Sequence, residues 1–254
     1  MMLKIDQLSK TYENGTAALR DVSFSVKAGE FVGILGKSGS GKSTLMRCIN
    51  RLVEPSSGKV FFDEEEVTGV SPKRLRELRK KTGMIFQQYN LIPRYSVQLN
   101  TLMGRLASTS SITSMMNYFS DEDVVHSRQV LDRLSLSDKY FHRSEELSGG
   151  QQQRVGLARA LMQEPELILA DEPVSSLDPA SSRQIMELLA EFNEKDGVTI
   201  LCNLHLPALA QEFGSRILVL SEGQIVYDGP AVQTLHANVI ESMLGRQSAF
   251  HLWR

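Results

Sequence analysis

Only two cysteines, Cys48 and Cys202, stand in these 254 residues, too few for the disulfide framework on which small secreted folds rely. Each has apolar neighbours, so both are expected to be buried, reduced thiols. Long apolar runs are missing too. No uncharged stretch exceeds 15 residues, and the one from Leu106 to Ser120 is rich in Ser and Thr, short of the roughly 20 apolar residues of a membrane-spanning helix. Met1-Met2-Leu3-Lys4 leads straight into alternating apolar residues, without the apolar core of a secretion signal, and the expected compartment is the cytosol. Charge of one sign is lacking as well: 28 Lys and Arg against 30 Asp and Glu leave a formal net charge of -2, so the chain as a whole has no electrostatic pull toward nucleic acid. What is present, 41% hydrophobic and 23% charged residues, suffices for the core of one or two globular domains.

Short apolar runs recur between helical patterns at Phe31 to Leu35, Met84 to Phe86, Leu167 to Ala170, Val198 to Cys202 and Ile217 to Leu220. Alternation of this kind predicts an α/β fold with a largely parallel sheet. The opening third differs. Leu3 to Leu8, Val22 to Val26 and Val60 to Phe62 read as strands with few helices between them, which predicts an antiparallel β subdomain beside the main sheet. Ser221-Glu222-Gly223, between Ile217 to Leu220 and Gln224 to Tyr227, signals a hairpin. From Tyr89 to Leu147 the pattern turns helical, with Val124, Val125, Val130, Leu131 and Leu134 spaced to share one apolar face. The expected organisation is one domain over 1-254: residues 1-88 and 165-254 form the α/β core with its β subdomain, and 89-164 form an inserted helical subdomain. The run Lys73 to Lys81 follows Ser71-Pro72, a good helix start, and Leu75 and Leu78 define its buried side, leaving the charges in water. The last predicted helix falls close to Arg254, so no appended regulatory domain is expected.

The chemistry concentrates in three places. After the strand Phe31 to Leu35, Gly36-Lys37-Ser38-Gly39-Ser40-Gly41-Lys42-Ser43-Thr44 fits G-x-x-x-x-G-K-[ST] between strand and helix, the pattern of a phosphate loop. Its glycines let backbone N–H groups curl around phosphate oxygens, the helix presents its positive N-terminus, Lys42 supplies charge to the β and γ phosphates, and Ser43 offers a hydroxyl to Mg²⁺. Second, the strand Leu167 to Ala170 runs into Asp171-Glu172, two carboxylates at the end of a parallel strand, where ligands collect. Asp171 is assigned to the metal and Glu172 to polarising the attacking water, the division usual in phosphoryl transfer with such loops. Third, Leu147-Ser148-Gly149-Gly150-Gln151 opens a helical run to Met162, a second helix start suited to an anion.

Together the phosphate loop, Leu147 to Gln151, and Leu169-Ala170-Asp171-Glu172-Pro173 resemble the ABC ATPase family across essentially the whole chain. The resemblance extends to Tyr12, similar to the aromatic that stacks on adenine, and to Gln87, similar to the glutamine that senses Mg²⁺ and the membrane partner. Ser175-Ser176-Leu177-Asp178 resembles the D-loop, and His205 resembles the switch histidine on the γ-phosphate. It implies ATP and Mg²⁺ as ligands, with Gly36, Ser38, Gly39, Ser40, Gly41, Lys42, Ser43, Thr44, Tyr12 and Asp178 at the nucleotide. Glu172, His205 and Gln87 would be catalytic, and Ser43, Gln87 and Asp171 would be at the metal. It further implies a homodimer in which Ser148, Gly149, Gly150 and Gln151 touch the ATP held by a second copy. Transmembrane permease subunits would be partners, an external substrate-binding protein an indirect one, and nucleic acid none. Such a chain works peripherally at the cytoplasmic side of the inner membrane.

A narrower resemblance rests on Cys48 to Pro55, Met84 to Gln88, Gly104-Arg105-Leu106 with its Ser/Thr-rich extension, and Asn203-Leu204-His205. These look like the phosphonate or phosphite importer ATPases. The extension and the segment around Asn203 are read as surfaces that dock the membrane subunits. Lys37 stands where proline is common, and Leu206-Pro207 follows His205 where a polar pair is usual; neither removes a group that touches phosphate or metal. The alternatives are an amino-acid or methionine importer ATPase and a regulatory ABC ATPase of the cell-division type. Repair members carry long coiled coils, and no sustained heptad occurs here.

Overall fold

The computed structural model describes residues 1–107 and 119–231, and these build three layers around a parallel sheet. Strand alternation sets the outer layer. In β1 (Leu3–Thr11) Leu3, Ile5 and Leu8 are buried, and in β2 (Ala17–Val26) Leu19, Val22, Phe24 and Val26 are. The two pair antiparallel with Leu3 opposite Val26. β4 (Ser57–Phe62) joins the other edge of β1, with Leu3 opposite Phe62, and β5 (Glu65–Glu66) completes the order β2-β1-β4-β5. The expected antiparallel unit is present; its strands run longer than the apolar runs alone indicated.

The central sheet has the order β10-β9-β3-β8-β7-β6. β3 (Phe31–Leu35), β6 (Thr82–Ile85), β7 (Leu167–Asp171), β8 (Thr199–Asn203) and β9 (Arg216–Ser221) are parallel, and β10 (Gln224–Pro230) pairs antiparallel with β9 as the predicted hairpin. Every residue of β3, β7 and β8 is buried, as expected where both faces of a parallel sheet are covered. Successive residues serve opposite faces. Leu167, Leu169, Leu201 and Leu218 pack toward the antiparallel sheet and helix α1 (Lys42–Ile49). Ile168, Ala170, Ile200 and Cys202 pack toward the helices α5 (Gly149–Leu161) and α6 (Pro179–Asp196). Both cysteines are buried and unpaired.

Helix α2 (Pro72–Lys80) starts as read: Ser71 accepts from the Arg74 N–H, Pro72 opens the first turn, and Leu75 and Leu78 are buried. Its charges do not all face water, however. Arg79 turns inward and donates to the Asn50 and Arg51 carbonyls at 3.0 and 2.8 Å, placing a cation on the orphan carbonyls at the end of α1. Between the strands β6 and β7 lie α3 (Val97–Leu102), α4 (Asp121–Arg133) and α5. The expected apolar face of α4 is out of phase at one position: Val130, Leu131 and Leu134 are buried, but Val125 is 55% exposed and Ser127 takes the inward place. Ser127 can be buried because its hydroxyl donates to the Val124 carbonyl at 2.7 Å and accepts from Gln98 Nε2 at 3.4 Å. The Ser/Thr-rich extension lies outside the described residues beyond Ala107, and α7 (Pro207–Phe213) completes the described helices.

Candidate active site

Four of the sequence-selected segments leave the C-terminal ends of neighbouring parallel strands. The glycine loop follows β3, Gln87 follows β6, Asp171 closes β7 with Glu172 next in the chain, and His205 follows β8. The chain runs from β3 out to β6 and returns through β7 and β8 to β9 on the far side of β3, making the strand-order reversal at which open α/β sheets bind ligands.

Two glycines of the loop are required by crowding. A Cβ on Gly36 would lie 2.3 Å from the Leu220 carbonyl oxygen, and one on Gly41, whose φ is 106°, would lie 2.3 Å from the Ala18 carbonyl oxygen, separations no side chain tolerates. Gly223 N–H, in the β9–β10 turn, donates to the Ser40 carbonyl at 3.0 Å. The loop therefore sits clamped between β2 and the hairpin. Lys42 is buried, its Nζ donating to the Gly36 and Lys37 carbonyls at 2.7 and 3.1 Å. Burial holds its ammonium below the ordinary value, while Glu172 and Asp171 pull it back up. Ser38 and Gly39 are exposed at the loop crown, and the buried Ser40 hydroxyl has no partner among the described residues.

Ser43 Oγ donates to Asp171 Oδ1 at 2.7 Å. A hydroxyl and a carboxylate side by side form an all-oxygen donor set that suits Mg²⁺, which takes one or two protein ligands and completes its shell with substrate phosphates and water. Asn203 Nδ2 donates to the same Asp171 oxygen at 2.8 Å. Asn203 is 0% exposed, so this residue of the segment expected to dock the membrane subunits is not itself at the surface: it faces the site from β8. The residue after β7 behaves differently. Glu172 has φ 54°, the left-handed region, a conformation that costs a non-glycine residue about 1–2 kcal/mol. The Ser175 N–H and hydroxyl hold the Glu172 carbonyl at 3.3 and 3.2 Å, and Glu172 Oε1 lies 2.6 Å from His205 Nε2.

The remaining assignments are spread more widely. Half-buried Tyr12 approaches the loop through its hydroxyl, 3.2 Å from Thr44 Oγ1, with Lys10 Nζ 5.2 Å from its ring centre. Gln87 is exposed. Ser148 caps α5, accepting from the Gln151 N–H at 3.3 Å while Gln151 Oε1 accepts from the Ser148 N–H at 3.0 Å. Gly149 and Gly150 abut Tyr89 and Ser181, where a Cβ would approach each hydroxyl to 3.0 Å. Asp178 caps α6 by accepting from the Ser181 N–H at 3.0 Å. Among the described residues, no hydrogen bond joins Ser148 to Gln151 with the glycine loop. Sequence reasoning assigned Asn203 no part in this site; the signal available was a polar residue at the end of an otherwise apolar strand.

Comparison with known proteins gives a consistent picture. The sequence profile of the family described as "ABC transporter" matches residues 19–175. The chain is 50% identical over 246 residues to the phosphonates import ATP-binding protein PhnC 1 of Rhodopseudomonas palustris (strain BisB18), covering 97% of this chain and 90% of that protein. It is 48% identical over 233 residues to the phosphonates import ATP-binding protein PhnC of Lactobacillus acidophilus, covering 92% and 91%. Among solved structures, the dimeric post-hydrolysis state of the ATP-binding cassette MJ0796 bound to ADP and Pi is similar, with TM-score 0.79 and 36% identity over 91% of this chain and 99% of that one.

Proposed function

The chain belongs to the ABC transporter family, and from that premise we propose that it is the ATP-hydrolysing subunit of a phosphonate importer, with phosphite in the same substrate class. The observation that carries the catalytic reading is the convergence of Lys42, Ser43, Asp171 and Glu172 at the C-terminal ends of β3 and β7. The substrate reading is supported by the phosphonate-import relatives, 50% and 48% identical across most of both chains. They favour it over an amino-acid importer or a cell-division regulator.

In this reading ATP seats its phosphates in the glycine loop, where Lys42 exchanges the carbonyls of its own loop for phosphate oxygens. Tyr12 stacks on the adenine. Mg²⁺ held by Ser43 and Asp171, with Gln87 beside them, would neutralise charge between the β and γ phosphates. Glu172 accepts a proton from the attacking water, and His205 orients that carboxylate and contacts the γ-phosphate. A second copy supplies Ser148, Gly149, Gly150 and Gln151 to close each site, with Asp178 at the same junction. Closure and reopening of the dimer would drive permease subunits that receive substrate from an external binding protein, the chain itself working peripherally at the cytoplasmic face of the inner membrane. Residues 89–164 would form the helical arm of the cassette.

Replacing Glu172 by Gln keeps shape and removes the base, which is worth roughly 10²–10⁴ in rate. ATP binding should persist while hydrolysis with the membrane partners falls by that factor. In a strain lacking the gene, wild-type protein should restore phosphonate uptake and Glu172→Gln should not, with growth on orthophosphate spared throughout. Near-normal hydrolysis by the variant would refute the base assignment. Unchanged phosphonate and phosphite uptake in every strain would refute the substrate.

A further inference from the structure

We infer that Asn203 is a positioning residue for Asp171, fixing that carboxylate in the orientation that receives the divalent cation of the bound nucleotide. The inference rests on the ATPase reading and deepens it. β7 and β8 are parallel neighbours with Asp171 level with Asn203, so both side chains leave the same face one strand apart. Asn203 Nδ2 and Ser43 Oγ converge on Asp171 Oδ1 at 2.8 and 2.7 Å. Oδ2 receives neither bond. A buried carboxylate held by one donor can rotate about its terminal torsion; a second donor from another element stops it, as partners behind metal ligands do. Ser43 is itself assigned to the cation, which leaves Asn203 as the donor on Asp171 with no other duty.

The amide is an expensive choice for packing alone. Its Nδ2 faces the carboxylate, as hydrogen-bond chemistry requires, but its Oδ1 is buried without a partner among the described residues, and an unpaired buried acceptor opposes folding. The adjacent residues Ile200, Leu201, Cys202 and Leu204 are all apolar and buried, so a leucine would suit the strand. The same strand end also sets His205 on Glu172 at 2.6 Å. The two consecutive carboxylates at the end of β7 are thus each met from the end of β8: Asp171 by Asn203, Glu172 by His205.

The test is Asn203→Leu in the full chain, with Mn²⁺ as the probe and a non-hydrolysable ATP analogue as the nucleotide. Electron paramagnetic resonance reads the Mn²⁺ affinity of the protein–nucleotide complex, fluorescence titration reads nucleotide affinity in chelator, and thermal melting without ligand checks the fold. We expect Mn²⁺ affinity to fall by roughly 10-fold or more, with metal-free nucleotide affinity changed by less than about twofold and cooperative melting retained. Asn203→Ser, smaller and less apolar, serves if the leucine variant does not fold. Unchanged Mn²⁺ affinity in a folded variant overturns the inference, as does an equal loss of metal-free nucleotide binding. Failure of both variants to melt cooperatively would make the amide a folding residue and also overturns it. Wild-type protein that binds neither nucleotide nor Mn²⁺ would sink the ATPase reading itself, whereas wild-type binding with an indifferent variant sinks only the role of Asn203.

Discussion

Burial changes what individual side chains can do, and the cysteines show it most simply. Burial pushes the Cys48 thiol up from 9.0 to about 11, and Cys202, fully enclosed, is raised further. A thiol whose folded value lies above its unfolded one stabilises the fold while protonated. That contribution is complete below about pH 9 and is lost as pH climbs through about 11. Denaturant melts should therefore show stability falling between pH 9 and 11, and Cys48→Ala, although less stable at pH 8, should show a shallower fall. An equal slope in both proteins would deny Cys48 the role. The bland expectation for both cysteines was readable from their apolar neighbours. The tie between Asn203 and Asp171 was not, because the residues are 32 apart in sequence and meet only through the register of β7 on β8.

For the elements, the sequence was most informative where one period governed both faces. Strand alternation in β1 and β2 and the continuous apolar runs of β3, β7 and β8 were legible for that reason, and so was α2, with its serine cap and proline. α4 was readable in kind but not in phase. Hydrophobicity favoured Val125, yet the packing uses Ser127, whose hydroxyl finds partners on Val124 and Gln98, and a polar side chain with internal hydrogen bonds does not look like core in a sequence. The phase can be tested by truncation. Leu131→Ala, at a fully buried position, should cost about 2–5 kcal/mol, and Val125→Ala should stay within about 0.5 kcal/mol. Urea melts of the two variants decide it, and a Val125 loss as large as the Leu131 loss would contradict the observed face.

At the scale of the whole molecule, the site at the C-terminal ends of the parallel strands has Lys42, Asp171, Glu172 and His205, while the hydrogen bonds between Ser148 and Gln151 close the start of α5, and among the described residues none joins them to the glycine loop. On the proposed reading that helix start serves the phosphate loop of another copy. Ser148→Arg would put bulk and positive charge at that helix start while leaving Lys42 and its loop intact. Nucleotide binding should persist, and ATP-dependent dimerisation seen by light scattering should fail; normal dimerisation would rule out the sandwich. The phosphate loop was the easiest part of the site to read, because its chemistry is local, yet the sequence did not reveal how it is held. Gly41 lies against Ala18 of β2, Gly36 against Leu220 of β9, and the hairpin turn donates to Ser40. Freezing a residue's backbone costs about 1–2 kcal/mol, and here folding of the two sheets has already met that cost for the loop. On the proposed reading, nucleotide would meet a finished cradle, and its free energy of binding would be left to stabilise closure of the proposed dimer instead of being consumed in ordering the chain that holds it.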